Sequence, residues 1–307
     1  MDVVALGESM AVLRPAGPGG LAGAELFARG AGGAESNVAC ALAAAGHRVR
    51  WLSRLGADAF GSYVLSSVAG YGVDVAHVQR DPDRPTGVYF RTAADRAAGP
   101  AETAYYRHGS AASAMSPASF PPALLRSARI LHLTGITAGL SPSCAALVTG
   151  LLADGDRPPV SFDVNHRPAL AQDPGLLLAL ARRAELVFTG LDEAAALWGC
   201  ATPEDVRALL PEPAQLVVKQ GPAGATLFTR DAVLAEPAPP ARIVAATGAG
   251  DGFAAGYLDG LLRGLPPRER LRGGHAFAAA ALAAPGDLPG PGASSLGRRK
   301  ATTEDHP

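Results

Sequence analysis

Asp251 follows two glycines, Gly248 and Gly250, in the stretch Val244-Ala-Ala-Thr-Gly-Ala-Gly-Asp-Gly-Phe-Ala-Ala-Gly256, and that order of residue types suits phosphate chemistry. Glycines let a backbone turn sharply and aim successive N–H groups at an anion, at the positive end of a following helix. A carboxylate in the same first turn adds something a phosphate cradle does not need, a group able to take the proton from an alcohol attacking phosphorus. Cradle and base together point to a kinase. Aspartate near a helix start is also an ordinary cap, so the turn acquires meaning from the elements around it.

Those elements alternate. Asp2 to Leu6 reads as a buried strand broken by Gly7-Glu8-Ser9, and Met10 to Arg29 as a small excursion of strands and turns. Gly30-Ala-Gly-Gly33 precedes an alanine-rich helix from Ala34 to Ala45, closed by Gly46. Val49–Leu55 and Val73–Val78 are expected as strands around a helix at Phe60–Ala69. Two β-like runs, Gly87–Thr92 and Thr103–Arg107, interrupt the rhythm as a hairpin or as two edge strands. Strands at Ile130–Leu133, Val160–Val164, Leu186–Phe188 and Leu216–Val218 then alternate with helices at Pro142–Ala153, Leu176–Arg183 and Asp192–Trp198. That pattern predicts a parallel sheet covered by helices. Ala225–Phe228, Ala232–Ala235 and Ile243–Ala246 follow without long helices, which suggests an antiparallel edge. Helices from Ala249 to Arg263 and from Arg268 to Ala284 complete the order.

Composition narrows the function. The 307 residues carry 18% charged side chains and a formal net charge of −1, which leaves no electrostatic footprint for nucleic acid or an anionic membrane. The three cysteines are odd in number and contain no C-x-x-C, against a disulfide framework or structural zinc. No basic leader or apolar run of about 18 residues is present, so a soluble cytoplasmic protein with a small-molecule partner is expected. The only lysines are Lys219 and Lys300, which excludes a Walker A loop. There is likewise no G-x-G-x-x-G, G-x-S-x-G or H-E-x-x-H pattern.

Two separated signatures, Gly32-Gly-Ala-Glu-Ser-Asn-Val-Ala39 and Thr247-Gly-Ala-Gly-Asp251, together resemble the ribokinase-like (PfkB) family of sugar and nucleoside kinases. The likeness spans the chain to about Asp287. It is strongest to kinases of 2-keto-3-deoxygluconate, through Gly33-Ala-Glu-Ser-Asn37, Pro85-Thr-Gly-Val-Tyr-Phe90, Tyr105-Tyr-Arg-His-Gly-Ser-Ala111, Phe162-Asp-Val-Asn-His-Arg167 and Leu191-Asp-Glu193. The resemblance implies an α/β fold, a three-layer α/β/α sandwich with a mostly parallel central sheet and a small β-sheet lid. The kinase domain would cover 1–297, with lid segments near 10–29 and 86–110 and a disordered tail at 298–307.

It further implies ATP-dependent phosphorylation of a sugar acid's terminal hydroxyl. Asp251 would be the base, and Gly248, Ala249 and Gly250 the anion hole. Gly33, Asn37, Tyr89, Tyr105 or Tyr106, Arg107, Arg167 and Asp287 would hold the substrate. Lys219, Gly221, Gly224, Thr247 and Gly250 would border ATP, and Glu193 would organise Mg2+ through water. Planar guanidinium groups grip a carboxylate in pairs, so Arg107 and Arg167 favour a sugar acid over the rival fructose or ribose. An intact Asp251 speaks against a catalytically idle binding protein. The chain departs from the family at Ala245, where an Asp is usual, which weakens the expectation of a monovalent cation, and at Gly190, where an Asn is usual. A homodimer or larger homo-oligomer is compatible with lid strands that pair across a two-fold axis.

Overall fold

The computed structural model describes residues 1–17, 20–92, 102–245, 247–284 and 286. In chain order the strands are β1 (Val3–Leu6), β2 (Met10–Pro15), β3 (Phe27–Gly32), β4 (Val49–Leu52), β5 (Arg54–Gly56), β6 (Gln79–Asp81) and β7 (Val88–Arg91). They continue with β8 (Thr103–Tyr106), β9 (Ile130–Thr134), β10 (Val160–Asp163), β11 (Leu186–Gly190), β12 (Gln215–Lys219), β13 (Ala225–Phe228) and β14 (Val233–Glu236). The helices are α1 (Ala34–Ala44), α2 (Ala59–Ala69), α3 (Pro122–Arg126), α4 (Gly135–Ala138) and α5 (Pro142–Ala153). After them come α6 (Pro174–Ala181), α7 (Leu191–Trp198), α8 (Pro203–Leu209), α9 (Ala249–Leu262) and α10 (Pro267–Leu282).

Eight strands form one sheet in the order β14-β13-β12-β11-β10-β9-β1-β4. Those from β12 to β4 are parallel, and β13 and β14 add an antiparallel edge. Alternate residues of each central strand point to opposite faces. On one face Val4, Leu6, Leu131, Leu133, Phe162, Leu216 and Val218 meet α5 to α8. On the other, Val3, Ala5, Ile130, Phe188 and Val217 meet α1, α2 and α9. The core is therefore two apolar layers with the sheet between them, as the alternation of elements predicts.

The second sheet, β3-β2-β7-β8, joins the two irregular segments, so the hairpin reading of β7 and β8 holds. Val12, Tyr89 and Tyr105 stand opposite one another across β2, β7 and β8, and Leu13, Phe90 and Ala104 occupy the next position on the other face. That alternation sends the two neighbouring tyrosines to opposite faces. Tyr105 shares a face with Tyr89, their ring centroids 5.4 Å apart, whereas Tyr106 packs edge-on to Phe90 on the reverse.

Some expected elements differ. Val73–Val78 is no strand; only Asp74 bridges Arg50 there, and the pairing passes to β5 and β6, because Val49–Leu55 divides at Ser53. Ile243–Ala245 form no strand either. Val244 and Ala245 both donate their N–H groups to the Leu282 carbonyl at the end of α10, so this apolar run is spent on a helix terminus, and Ala246 itself lies outside the described residues. The proline-led helix α8 carries a cap in Thr202, which accepts from Asp205 N–H; it escaped the periodicity reading because seven residues give too little period.

Helices α9 and α10 lie in unusually close antiparallel contact. A Cβ on Gly256 would stand 2.2 Å from the Gly273 carbonyl oxygen, and one on Gly252 3.0 Å from that of Phe277. Glycines four residues apart thus give α9 a flat face. Gly256→Ala should cost about 1–3 kcal/mol by overpacking, read as a lowered thermal midpoint; an unchanged midpoint would show that the two helices are not held at this spacing.

Candidate active site

Asp251 is the third residue of α9, and it is buried with 8% of its surface exposed. Gly248 precedes the helix at φ 76°, a left-handed conformation that favours glycine. Gly252 N–H donates to the Gly248 carbonyl at 2.8 Å, and the N–H groups of Ala249 and Gly250, in the first turn, have no acceptor inside the helix. These are the backbone groups that the sequence reading expects to face an anion, and Thr247 leads into the turn.

Two amides reach the carboxylate. Asn37 Nδ2, from the first turns of α1, donates to Asp251 Oδ2 at 2.8 Å, and Asn165 Nδ2, just beyond β10, donates to Oδ1 at 3.3 Å. Asn165 does so from φ 45°, a left-handed conformation that asparagine tolerates better than most side chains. Both amides thus donate to a carboxylate in the first turn of α9, where the helix dipole also favours negative charge.

A row of alternating charges borders the cradle. Lys219 Nζ, at the end of β12, donates to both oxygens of Asp163 at 2.9 and 3.1 Å, and it lies 3.4 Å from where a Cβ on Gly250 would stand. Burial pulls the Lys219 pKa down, but the carboxylates of Asp163 and Glu193 hold it above its ordinary value. Glu193 accepts from Gly190 N–H at 2.8 Å and faces Arg167 Nη1 at 3.9 Å. Burial pushes its carboxyl up against the opposing pull of Lys219. Gly221 and Gly224 follow β12 at φ 56° and 118°, with Gly224 packed so closely on the Glu236 carbonyl that no Cβ fits.

The lid meets this site through Gly33, the residue before α1, whose Cα packs on the Glu8 carbonyl. The buried Glu8 carboxylate accepts from Ser110 Oγ and forms an ion pair with Arg107, and the Arg107 guanidinium lies 5.8 Å from the centre of the Tyr105 ring. Arg107 Nε is a buried donor with no acceptor among the described residues. Gly33, Tyr89, Tyr105 and Arg107 are thus brought together. Arg167, by contrast, lies four residues past β10, at the start of the short turn Pro168–Leu170, with its guanidinium half-exposed and bonded to the His166 carbonyl. Asp287 lies outside the described residues.

Comparison with known proteins gives this geometry a family. The model of pfkB family carbohydrate kinases matches residues 1–290. The chain belongs to the PfkB family of carbohydrate kinases. It is 36% identical to the 2-dehydro-3-deoxygluconokinase of Bacillus subtilis, covering 94% of this chain and 92% of that one. It is 34% identical to the enzyme of the same name from Thermoproteus tenax, covering 95% and 92%. The crystal structure of a PfkB protein from Polaromonas sp. JS666 superposes with a TM-score of 0.84 at 36% identity, covering 94% and 97%. This kinase is accordingly a phosphotransferase with an alcohol group as acceptor.

Three polar residues of the site carry no role in the sequence reading: Asn165, Asp163 and Glu8. Asp163 and Asn165 lie in a stretch whose likeness was assigned to Arg167 alone; the available signal was the alternation of polar residues just where a buried strand ends. Lys219, read as bordering the nucleotide, pairs with Asp163 and lies beside Gly250. Both members of that pair are largely enclosed, with side chains 17% and 2% exposed, so removing one leaves a buried charge alone. Lys219→Met should destabilise the fold by about 3–5 kcal/mol. Adding Asp163→Val should recover most of that loss in urea unfolding while activity stays low; a single variant as stable as the wild type would show that the pair is solvated.

Proposed function

We propose that this kinase transfers the terminal phosphoryl group of ATP to the terminal hydroxyl of 2-keto-3-deoxygluconate or a closely related sugar acid. The observation that carries the reading is the Asp251 carboxylate, held by two amides at the mouth of a glycine cradle. In this reading Asp251 takes the hydroxyl proton as oxygen attacks phosphorus, and the N–H groups of Ala249 and Gly250 receive the charge that develops on the transferred group. Lys219 adds a fixed positive charge beside them, while Gly221, Gly224 and Thr247 line the nucleotide's approach.

The residues fit a nucleotide that carries its own cation. Among the described residues no three His, Cys, Asp or Glu side chains converge as a metal cage, so Glu193 is assigned to the water shell of magnesium held on the phosphates. When bound, magnesium-ATP supplies the phosphoryl group and offsets the charge of the distal phosphates. Ala245 brings no carboxylate to the preceding loop, so a monovalent cation would find only backbone carbonyl oxygens there and would bind weakly at most. No helix among the described residues is long and apolar enough to cross a membrane; we assign the kinase to the cytoplasm. Leu26 and Tyr106 stand exposed on the lid, where a second copy of the chain would pack.

The acid specificity rests on Arg107, with Arg167 as its partner in the reading. The unpartnered Nε of Arg107 is a buried donor, and a substrate carboxylate supplies the acceptor it lacks. Tyr89 and Tyr105 would cover the sugar, and Gly33 and Asn37 would line its floor. ADP release across a panel of sugar acids and matching neutral sugars tests the substrate. The 3-deoxy-2-keto acid should exceed fructose and ribose in kcat/KM by at least about 100-fold, in the range where a site built for a polar group rejects analogues lacking it. Arg107→Ala should cost about 2–5 kcal/mol for the acid and little for a neutral sugar, a control that separates recognition from folding. Equal losses would sink the carboxylate assignment.

Asp251→Asn preserves size and removes basicity. Its kcat should fall by at least about 100-fold, the low end of positioned acid–base catalysis, with ATP binding by calorimetry retained. Near-normal turnover would overturn the base assignment.

A further inference from the structure

Glu35 is fully buried two residues before Asn37, and the reaction as read above does not use it. Its Oε1 accepts hydrogen bonds from Thr134 Oγ1 at 2.7 Å and Thr137 Oγ1 at 2.6 Å, at the end of β9 and within α4. Its Oε2 has no donor among the described residues. The carboxyl packs so tightly on Gly7, at the end of β1, that a Cβ there would stand 2.1 Å from its carbon. One side chain thus ties the first turn of α1 to the ends of β1 and β9, the strands on either side of the point where strand order reverses.

The pattern of partners bears on its charge. An ionised carboxylate would leave Oε2 as a buried anionic oxygen without a donor, a costly state. A neutral acid costs less: a carbonyl-type Oε1 still takes both hydroxyls, and an unpaired O–H at Oε2 is a smaller penalty than an unpaired buried charge. We propose that Glu35 is a positioning residue for Asp251, working as a neutral acid that fixes the turn bearing Asn37, and that its ionisation loosens this turn and sets a second negative charge behind the base. The inference rests on the kinase reading of Asp251.

Electrostatics agree with the geometry. Burial raises the Glu35 carboxyl to about 7, against the pull of the Thr137 and Thr134 hydroxyls and with a further push from Asp251 on α9. The other titratable group within reach is the Cys144 thiol on α5, which burial pushes up and which also senses Glu8. Between the ordinary value of 4.5 and about 7, the folded protein keeps a proton that the unfolded chain has released. Stability therefore falls as pH rises through that window and levels off above it.

Glu35→Gln keeps an acceptor for both threonines and cannot ionise. Its kcat should stay within about threefold of wild type at pH 6, and the ratio of variant to wild type should climb at least about fivefold by pH 8.5, where most of a group titrating near 7 has ionised. The difference in thermal midpoint, variant minus wild type, should grow from pH 4.5 to 7 and then hold. Glu35→Ala should lose activity at every pH. Thr137→Val, which removes a donor favouring the anion, should move the wild-type decline to higher pH and serves if the alanine variant does not fold. A flat activity ratio with a pH-independent midpoint difference would overturn the proposal, as would a Gln variant as impaired as Ala at pH 6. If the wild type phosphorylates no sugar acid, the proposed function fails, and the thermal measurements still decide whether Glu35 is neutral.

Discussion

The site depends on a carboxylate that is almost wholly withdrawn from water. Burial disfavours the charged form of such a group, so Asp251 needs compensation from nearby dipoles. It lies in the first turn of α9, at the positive end of the helix, and it receives the side-chain amides of Asn37 and Asn165. Those amides come from parts of the chain separated by 214 and 86 residues from Asp251, and they converge only because α1, β10 and α9 all present an end at the same edge of the sheet. Parallel strands enforce this, since every strand end there points the same way.

Convergence also needs α9 to be held against lengthwise sliding. Its glycine face admits the backbone of α10, and the end of α10 accepts the N–H groups of Val244 and Ala245 through the Leu282 carbonyl. The loop entering the cradle is thereby pinned from behind. Phe253 from α9 packs against Phe188 of β11 and His275 of α10, so the same helix is locked to the sheet on one side and to its neighbour on the other. Rigid elements support a cradle whose N–H groups must already be aimed when a phosphate arrives.

Much of this was legible in the residue order. The glycine-to-aspartate spacing marked a tight turn into a helix with a carboxylate in its first turn, and the alternating apolar runs marked the central sheet, because both are local patterns tied to backbone geometry. The lid was legible as a break in alternation, but its four-strand order was not, since pairing β2 with β7 depends on contacts between distant segments. Ile243–Ala246 looked like a strand because apolar residues are needed equally to cover a helix end. Glu8 illustrates the limit most plainly. A glutamate after a strand reads as a solvated turn residue, and only the fold brings Arg107 and Ser110 to it from about a hundred positions away. Asp163 and Lys219 were hidden likewise, their pairing spanning β10 to β12 across an intervening strand.

The arrangement of charge follows from two opposed demands. A phosphoryl-transfer site must draw in a highly anionic nucleotide, yet it must retain at least one carboxylate as base. Unscreened, Asp163, Glu193 and Asp251 together would repel the phosphates across a short, partly dry distance, where Coulomb energies run well above those in water. Lys219 lies against Asp163, and Arg167 faces Glu193, so each of these carboxylates is offset by a cation of its own. Asp251 takes side-chain hydrogen bonds from two neutral amides instead, and the Lys219 charge attracts it as well. An amide fixes a carboxylate oxygen in place without setting a full positive charge directly against it, whereas a lysine or arginine at either asparagine's position would make the shorter, stronger charge-assisted contact.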